Sequence, residues 1–129
     1  MGQEDQISYW IKTSNEDWEL IKDLVKMDRY LYALFFVHLC MEKLVKAHWV
    51  KCNSQQPPRS HDLIYLHDGT DLDLNSEQLE LLESLNTWNI EGRYPDYKKS
   101  LLKIASKEFT KTKIEKTGIL RQWLLEKLP

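Results

Sequence analysis

Positive charge is missing from a long middle stretch of this chain. Between Arg59 and Arg93 there is no Lys or Arg, while Asp62, Asp68, Asp71, Asp73, Glu77, Glu80, Glu83 and Glu91 supply eight acids. From Lys98 onward the balance reverses to nine Lys/Arg against Glu108, Glu115 and Glu126, so the net charge of −2 hides two regions of opposite sign. Such an asymmetry either draws a polyanion or acidic partner to one end, or simply gives solvated helix faces. Cysteine is scarce as well. Cys40 lies within an apolar run and Cys52 just beyond it, which excludes a disulfide framework and a four-ligand zinc site. Also lacking are a Gly-rich phosphate loop, a Ser-His-Asp order and alternating strand patterns. The N-terminus carries no signal-peptide pattern, so a cytoplasmic location is the expectation. No metal, cofactor, membrane or DNA partner is expected.

What remains is 129 residues, 42% apolar and 29% charged, enough for one globular domain over residues 1–129 with a core from about 15 to 128. The central stretch is Leu31 to Lys51, free of Gly and Pro and too polar in its second half to span a membrane. Counting by three and four gives Leu31, Leu34, Phe35, His38, Leu39, Glu42, Val45, Lys46 and Trp49 on one helical face. Phe36, Val37, Cys40, Met41 and Leu44 widen the apolar surface, so this helix should be contacted on several sides. Its polar ladder His38, Glu42, Lys46 is either a satisfied structural network or the lining of a site.

The other elements follow from caps and breakers. Met1 to Gln6 reads as loose, and Thr13-Ser14-Asn15-Glu16 as a capping box opening a first helix from about Ser14 to Met27. Asp28-Arg29 is a short break between antiparallel helices. After the Asn53–Pro58 loop, Ser60 caps a short helix to about His67. Asn75 or Ser76 caps the next, which Gly92 ends. Lys98 to Ser106 and a last segment from about Lys107 complete the chain. The expected architecture is all-α, an antiparallel up-and-down bundle of four to five helices. Trp10, Trp18, Trp49, Trp88 and Trp123 serve the core or stack a base, worth about 1–3 kcal/mol where that occurs.

Three segments in order carry a resemblance. The helix from Ala33 to Ala47, the start Ser60-His61-Asp62-Leu63 and the turn Arg93-Tyr94-Pro95 resemble the signature of HEPN domains, small helical bundles. The resemblance implies a bundle that commonly forms homodimers and often partners a small nucleotidyltransferase in a toxin–antitoxin or defence module. It also implies a role in holding a nucleotide beside that transferase. Many relatives are metal-independent ribonucleases using Arg, four to six residues, then His, a spacing that brings a cation and a general acid/base to one phosphodiester. Here the windows after Arg29, Arg59, Arg93 and Arg121 hold no histidine, His67 missing the second by one residue. Candidate nucleotide contacts are Lys46, His61, Asp62, Arg93 and Tyr94, with Glu42 and Arg93 as a structural ion pair. His61 and Asp62 either place an anion at a helix start or fix the loop by hydrogen bonds. Three readings stay open: a non-catalytic nucleotide-binding module, a divergent RNA-cleaving toxin using His61 or His38 with Arg93, and a purely structural dimerisation domain.

Overall fold

The computed structural model describes residues 2–129. Six helices run in the order α1 (Gln3–Lys26), α2 (Tyr30–Asn53), α3 (Leu63–Asp68), α4 (Ser76–Leu85), α5 (Pro95–Ile104) and α6 (Lys107–Glu126), with a 3-10 turn at Asn86–Trp88. No strand occurs among the described residues. The number exceeds the expected four to five once the short helices α3 and α5 are counted with the other four. No helix among the described residues is long and apolar enough to cross a membrane.

The first helix corrects the sequence reading. Of the stretch expected to be loose, Met1 lies outside the described residues, and Gln3 already begins α1. Thr13 is mid-helix, its hydroxyl donating to the Tyr9 carbonyl at 3.0 Å instead of capping anything. Ser14 is fully buried and donates across to the Cys40 carbonyl of α2 at 3.1 Å. One stripe of Ile7, Trp10, Ile11, Ser14, Asp17, Trp18, Ile21, Leu24 and Val25 therefore runs the whole helix, polar only where α2 supplies partners. Asp17 meets Lys43 at 2.8 Å. The turn into α2 was placed correctly: Asp28 takes a left-handed φ of 57°, with Arg29 N donating to Leu24 O and Asp28 N to Val25 O. That is a Schellman closure with Asp in the place glycine usually fills.

Fourteen residues of α2 are buried, which makes it the central element of the bundle. It packs antiparallel along α1 and also touches α3, α4, the 3-10 turn, α5 and α6. The main core gathers Ile21, Leu34, Met41, Leu44, Leu63, Leu66, Leu82, Leu85, Trp88, Leu120 and Leu124. A satellite of Ile7, Ala47 and Val50 closes the far end beneath Trp10 and Leu128. Asn75 and Gln78 form the capping box of α4, Pro95 opens α5, and Ser106 caps α6. The helix from Asn75 stops at Leu85, earlier than Gly92, because the chain tightens into the 3-10 turn before reaching it.

Gly69 is the most closely approached of the glycines: a Cβ there would collide with the Trp49 indole nitrogen. Gly69→Ala is predicted to lower stability by about 1–3 kcal/mol, the usual cost of overpacking. The urea unfolding midpoint measures it, and a wild-type midpoint would contradict this packing.

Candidate functional site

The polar ladder of α2 converges on Glu42, whose carboxylate is 4% exposed. Oε2 accepts from Lys46 Nζ at 2.9 Å, one helical turn on. Oε1 accepts from His61 Nδ1 at 2.9 Å, in the segment leading to α3. Two partners on two oxygens offset the desolvation that burial of a carboxylate imposes. With Nδ1–H committed to Glu42, His61 turns Nε2 outward, 3.8 Å from Glu91 Oε2, and its side chain is 47% exposed.

His38, fully buried, donates Nε2–H to the His61 backbone carbonyl at 2.8 Å. Helix α2 thus holds His61 by both ring and backbone. His38 Nδ1 is left without a hydrogen-bond partner, 4.0 Å from Glu42 Oε1, which fits a neutral ring. Burial lowers its pKa from the ordinary 6.5, outweighing the bond to His61 and the charge of Glu42. His48 repeats the pattern, donating Nε2–H to the Leu124 carbonyl of α6 at 2.9 Å, its pKa also lowered by burial. Cys40, buried against Ser14, has its thiol pushed up to about 11 by desolvation, which leaves it unreactive.

The expected Glu42–Arg93 pair is not made. Arg93 Nε donates to the Asn89 carbonyl and Nη2 to the Asn86 carbonyl, and the guanidinium lies 4.3 Å over the Tyr97 ring. Glu42, its oxygens occupied by Lys46 and His61, has no need of it. Asp62, not Ser60, caps α3, accepting from Ile64 N at 3.0 Å and Tyr65 N at 3.3 Å. Asn86 accepts from Leu63 N and donates to Asp62 Oδ1, while Ser60 accepts from Asp62 N. The opening amides of α3 are therefore filled, and the start of that helix offers no anion seat. Tyr94 is 83% exposed at the start of α5. Of the sequence candidates, the structure joins Lys46 and His61 through Glu42. It links Asp62 to Arg93 through Asn86, as fold fastenings, and leaves Tyr94 apart.

Sequence reasoning missed the cleft on the other side of Lys46. It has a volume of about 280 Å³ and is lined by Gln6, Tyr9, Trp10, Lys46, Gln56, Pro57, Pro58 and Arg59. Lys46 Nζ lies 5.4 Å over the Trp10 ring. Among the other tryptophans, Trp88 is buried beside Phe109, Trp18 lies under Arg121 and Trp123 under Lys127. No group of three or more His, Cys, Asp or Glu that could hold a metal occurs among the described residues.

Two outcomes follow from this chemistry. Glu42→Ala leaves the Lys46 ammonium buried without its carboxylate and is predicted to cost about 3–5 kcal/mol, with Lys46→Met in the same chain recovering part of the loss. Urea unfolding of the single and double variants measures the coupling, and strictly additive effects would contradict it. Acid stability is the second. The unfolded chain binds protons at His38 and His48 as the pH falls through 6.5, the folded chain only at lower pH, so proton uptake favours unfolding. Their stabilisation is complete above 6.5 and is lost as the pH falls from there to the native values. Asp17, raised by burial, acts with the opposite sign, so the histidine share is read by difference. The urea midpoint is predicted to fall less between pH 7.5 and 5 in His38→Gln/His48→Gln, where glutamine keeps an N–H donor, than in the parent chain. Equal falls would contradict the assignment.

The family model for the HEPN domain matches residues 7–128, nearly the whole chain. No curated protein and no solved structure matches it. With its all-helical bundle and nearly its full length covered by that match, the chain belongs to the HEPN domain family.

Proposed function

We propose that this chain is a non-catalytic HEPN module that binds a nucleotide, held at Lys46 and His61, and presents it to a protein partner. The partner implied by the family resemblance is a small nucleotidyltransferase of a toxin–antitoxin or defence module, met by a homodimer of this chain. The observation that carries the reading is the buried carboxylate of Glu42 fixing both an ammonium and a half-exposed imidazole, each hydrogen-bonded at 2.9 Å. A preorganised ammonium and a bare imidazole nitrogen suit a phosphate oxygen at the first and a donating ribose hydroxyl or base amino group at the second. The absence of a histidine at the ribonuclease spacing after any arginine supports binding without cleavage.

A second reading has one observation in its favour. His61 presents Nε2 outward with a carboxylate behind Nδ1, the orientation a general base needs. In that reading the chain is a divergent ribonuclease, and expression would arrest growth unless His61 is changed to Ala.

Equilibrium titration of the purified chain with the common ribonucleoside mono-, di- and triphosphates tests the first reading. Saturable binding of at least one is expected, weakened about tenfold or more by His61→Ala, a loss of about 1.4 kcal/mol. RNA incubated with the chain should stay intact. Failure to bind any nucleotide, alone or with the nucleotidyltransferase, would overturn the binding role, and cleavage lost in His61→Ala would favour the second.

A further inference from the structure

We infer that the cleft between the first turns of α1 and the loop after α2 is a mononucleotide seat, with Arg59 as its phosphate anchor and Tyr9 and Trp10 as its base platform. The inference rests on the nucleotide reading above and names the ligand class and three residues that reading does not use. Lys46 lines this cleft, while His61 lies outside it and acts on it through their shared partner Glu42.

Charge selects this cleft. Its lining contains two cations, Lys46 and Arg59, and no carboxylate. The groove between α4 and α6 sets Glu77 and Glu80 beside Lys113 and Lys116, and the hollow along α1 sets Glu16 and Glu19 beside Lys12. The depression beside His48 sets Asp71 and Asp73 beside Lys51 and Lys127, and the hollow on the first turns of α6 sets Glu108 beside Lys113 and Lys116. In each of these a carboxylate stands among the cations and repels a phosphate at close range. Within the cleft, Lys46 is neutralised by Glu42, but no carboxylate among the described residues pairs with Arg59, which is exposed. The cleft therefore carries one uncompensated positive charge, displayed on a fork of donors suited to phosphate oxygens. Lys46 uses one of its three protons on Glu42 and keeps others for the same anion.

Shape and surface chemistry supply the base. Tyr9 is 51% exposed and meets Trp10 edge to face, ring centres 5.3 Å apart at 73°, so two aromatic surfaces stand at the mouth. Pro57 and Pro58 also line the cleft, and their fixed φ angles limit the entropy this segment loses on binding. Gln56 adds an amide, donor and acceptor alike, to the lining. A volume of about 280 Å³ lies just under the range of drug-sized pockets, roughly 300–1,000 Å³. That suits one nucleotide and leaves no room for a dinucleotide inside.

Titration of the full chain with AMP, adenosine and inorganic phosphate, followed by tryptophan fluorescence and calorimetry, tests the seat. AMP is expected to bind at least tenfold tighter than adenosine or phosphate and to quench the fluorescence. Arg59→Gln should reduce AMP to the affinity of adenosine. Tyr9→Ala should weaken AMP and adenosine alike by about tenfold, leaving phosphate unchanged. Lys116→Gln, in the α4–α6 groove, should change nothing. Both Arg59 and Tyr9 are exposed, and an unaltered unfolding midpoint confirms that each variant folds. AMP affinity that survives Arg59→Gln and Tyr9→Ala, or binding of triphosphates but not of AMP, would overturn the seat while the nucleotide reading stands. Wild-type chain that binds no nucleotide of any kind would overturn both.

Discussion

A carboxylate buried in the middle of the longest apolar helix is the constraint around which this bundle is arranged. Glu42 sits on α2 among residues such as Met41, Leu44 and Val45, all fully buried, where an unpaired charge would be untenable. The fold meets that requirement from two directions. Lys46 comes from the same helix, fixed by the i, i+4 spacing alone. His61 comes from the connecting segment, and bringing it there decides where the chain after α2 must run. His38 then ties the same residue by its backbone. The path from Ser54, left-handed at the end of α2, to Asp62, which caps α3, is anchored on one side by a carboxylate and an imidazole. On the other side the Asn86 amide holds the first turn of α3 to the end of α4.

This arrangement makes the site a consequence of stability, not an addition to it. Lys46 and His61 are held because Glu42 needs partners, so their positions are set by the fold itself. Such preorganisation reduces the ordering cost of binding. Arg93 has a different task. Stacked on Tyr97 and donating to two carbonyls at the end of the α4 region, it closes the turn before α5.

The bundle was legible in the sequence where periodicity and caps are local. The long run from Leu31 to Lys51 announced a helix contacted on several sides, and Asn75 marked a start that formed. Pro95, read as part of a turn, instead opens a helix three residues before the expected Lys98, and Ser106, read as a helix end, caps the next. The first helix was half hidden because Thr13-Ser14-Asn15-Glu16 has the composition of a cap. Ser14 is polar there because the Cys40 carbonyl lies opposite, a tertiary reason that no window of α1 contains. The candidate site failed in the same way. Spacing placed Glu42 and Lys46 on one face correctly, but spacing names a face and not a partner across the fold, so Arg93 was assigned a bond that His61 makes. The cleft with Tyr9 and Trp10 could not be read at all while the residues before Thr13 were left outside the helix. Once α1 starts at Gln3, the antiparallel register carries those rings to Lys46.

The network at Glu42 depends on which nitrogen of His61 faces the carboxylate. Long-range proton–nitrogen NMR correlation of the His61 ring, in solution alkaline enough for the imidazole to be neutral, reports the tautomer directly. The account predicts a protonated Nδ1 and a bare Nε2, reverting to the mixture of a free imidazole when Glu42 is replaced by Ala. A ring protonated at Nε2 in the unaltered chain, or one indifferent to Glu42, would contradict it.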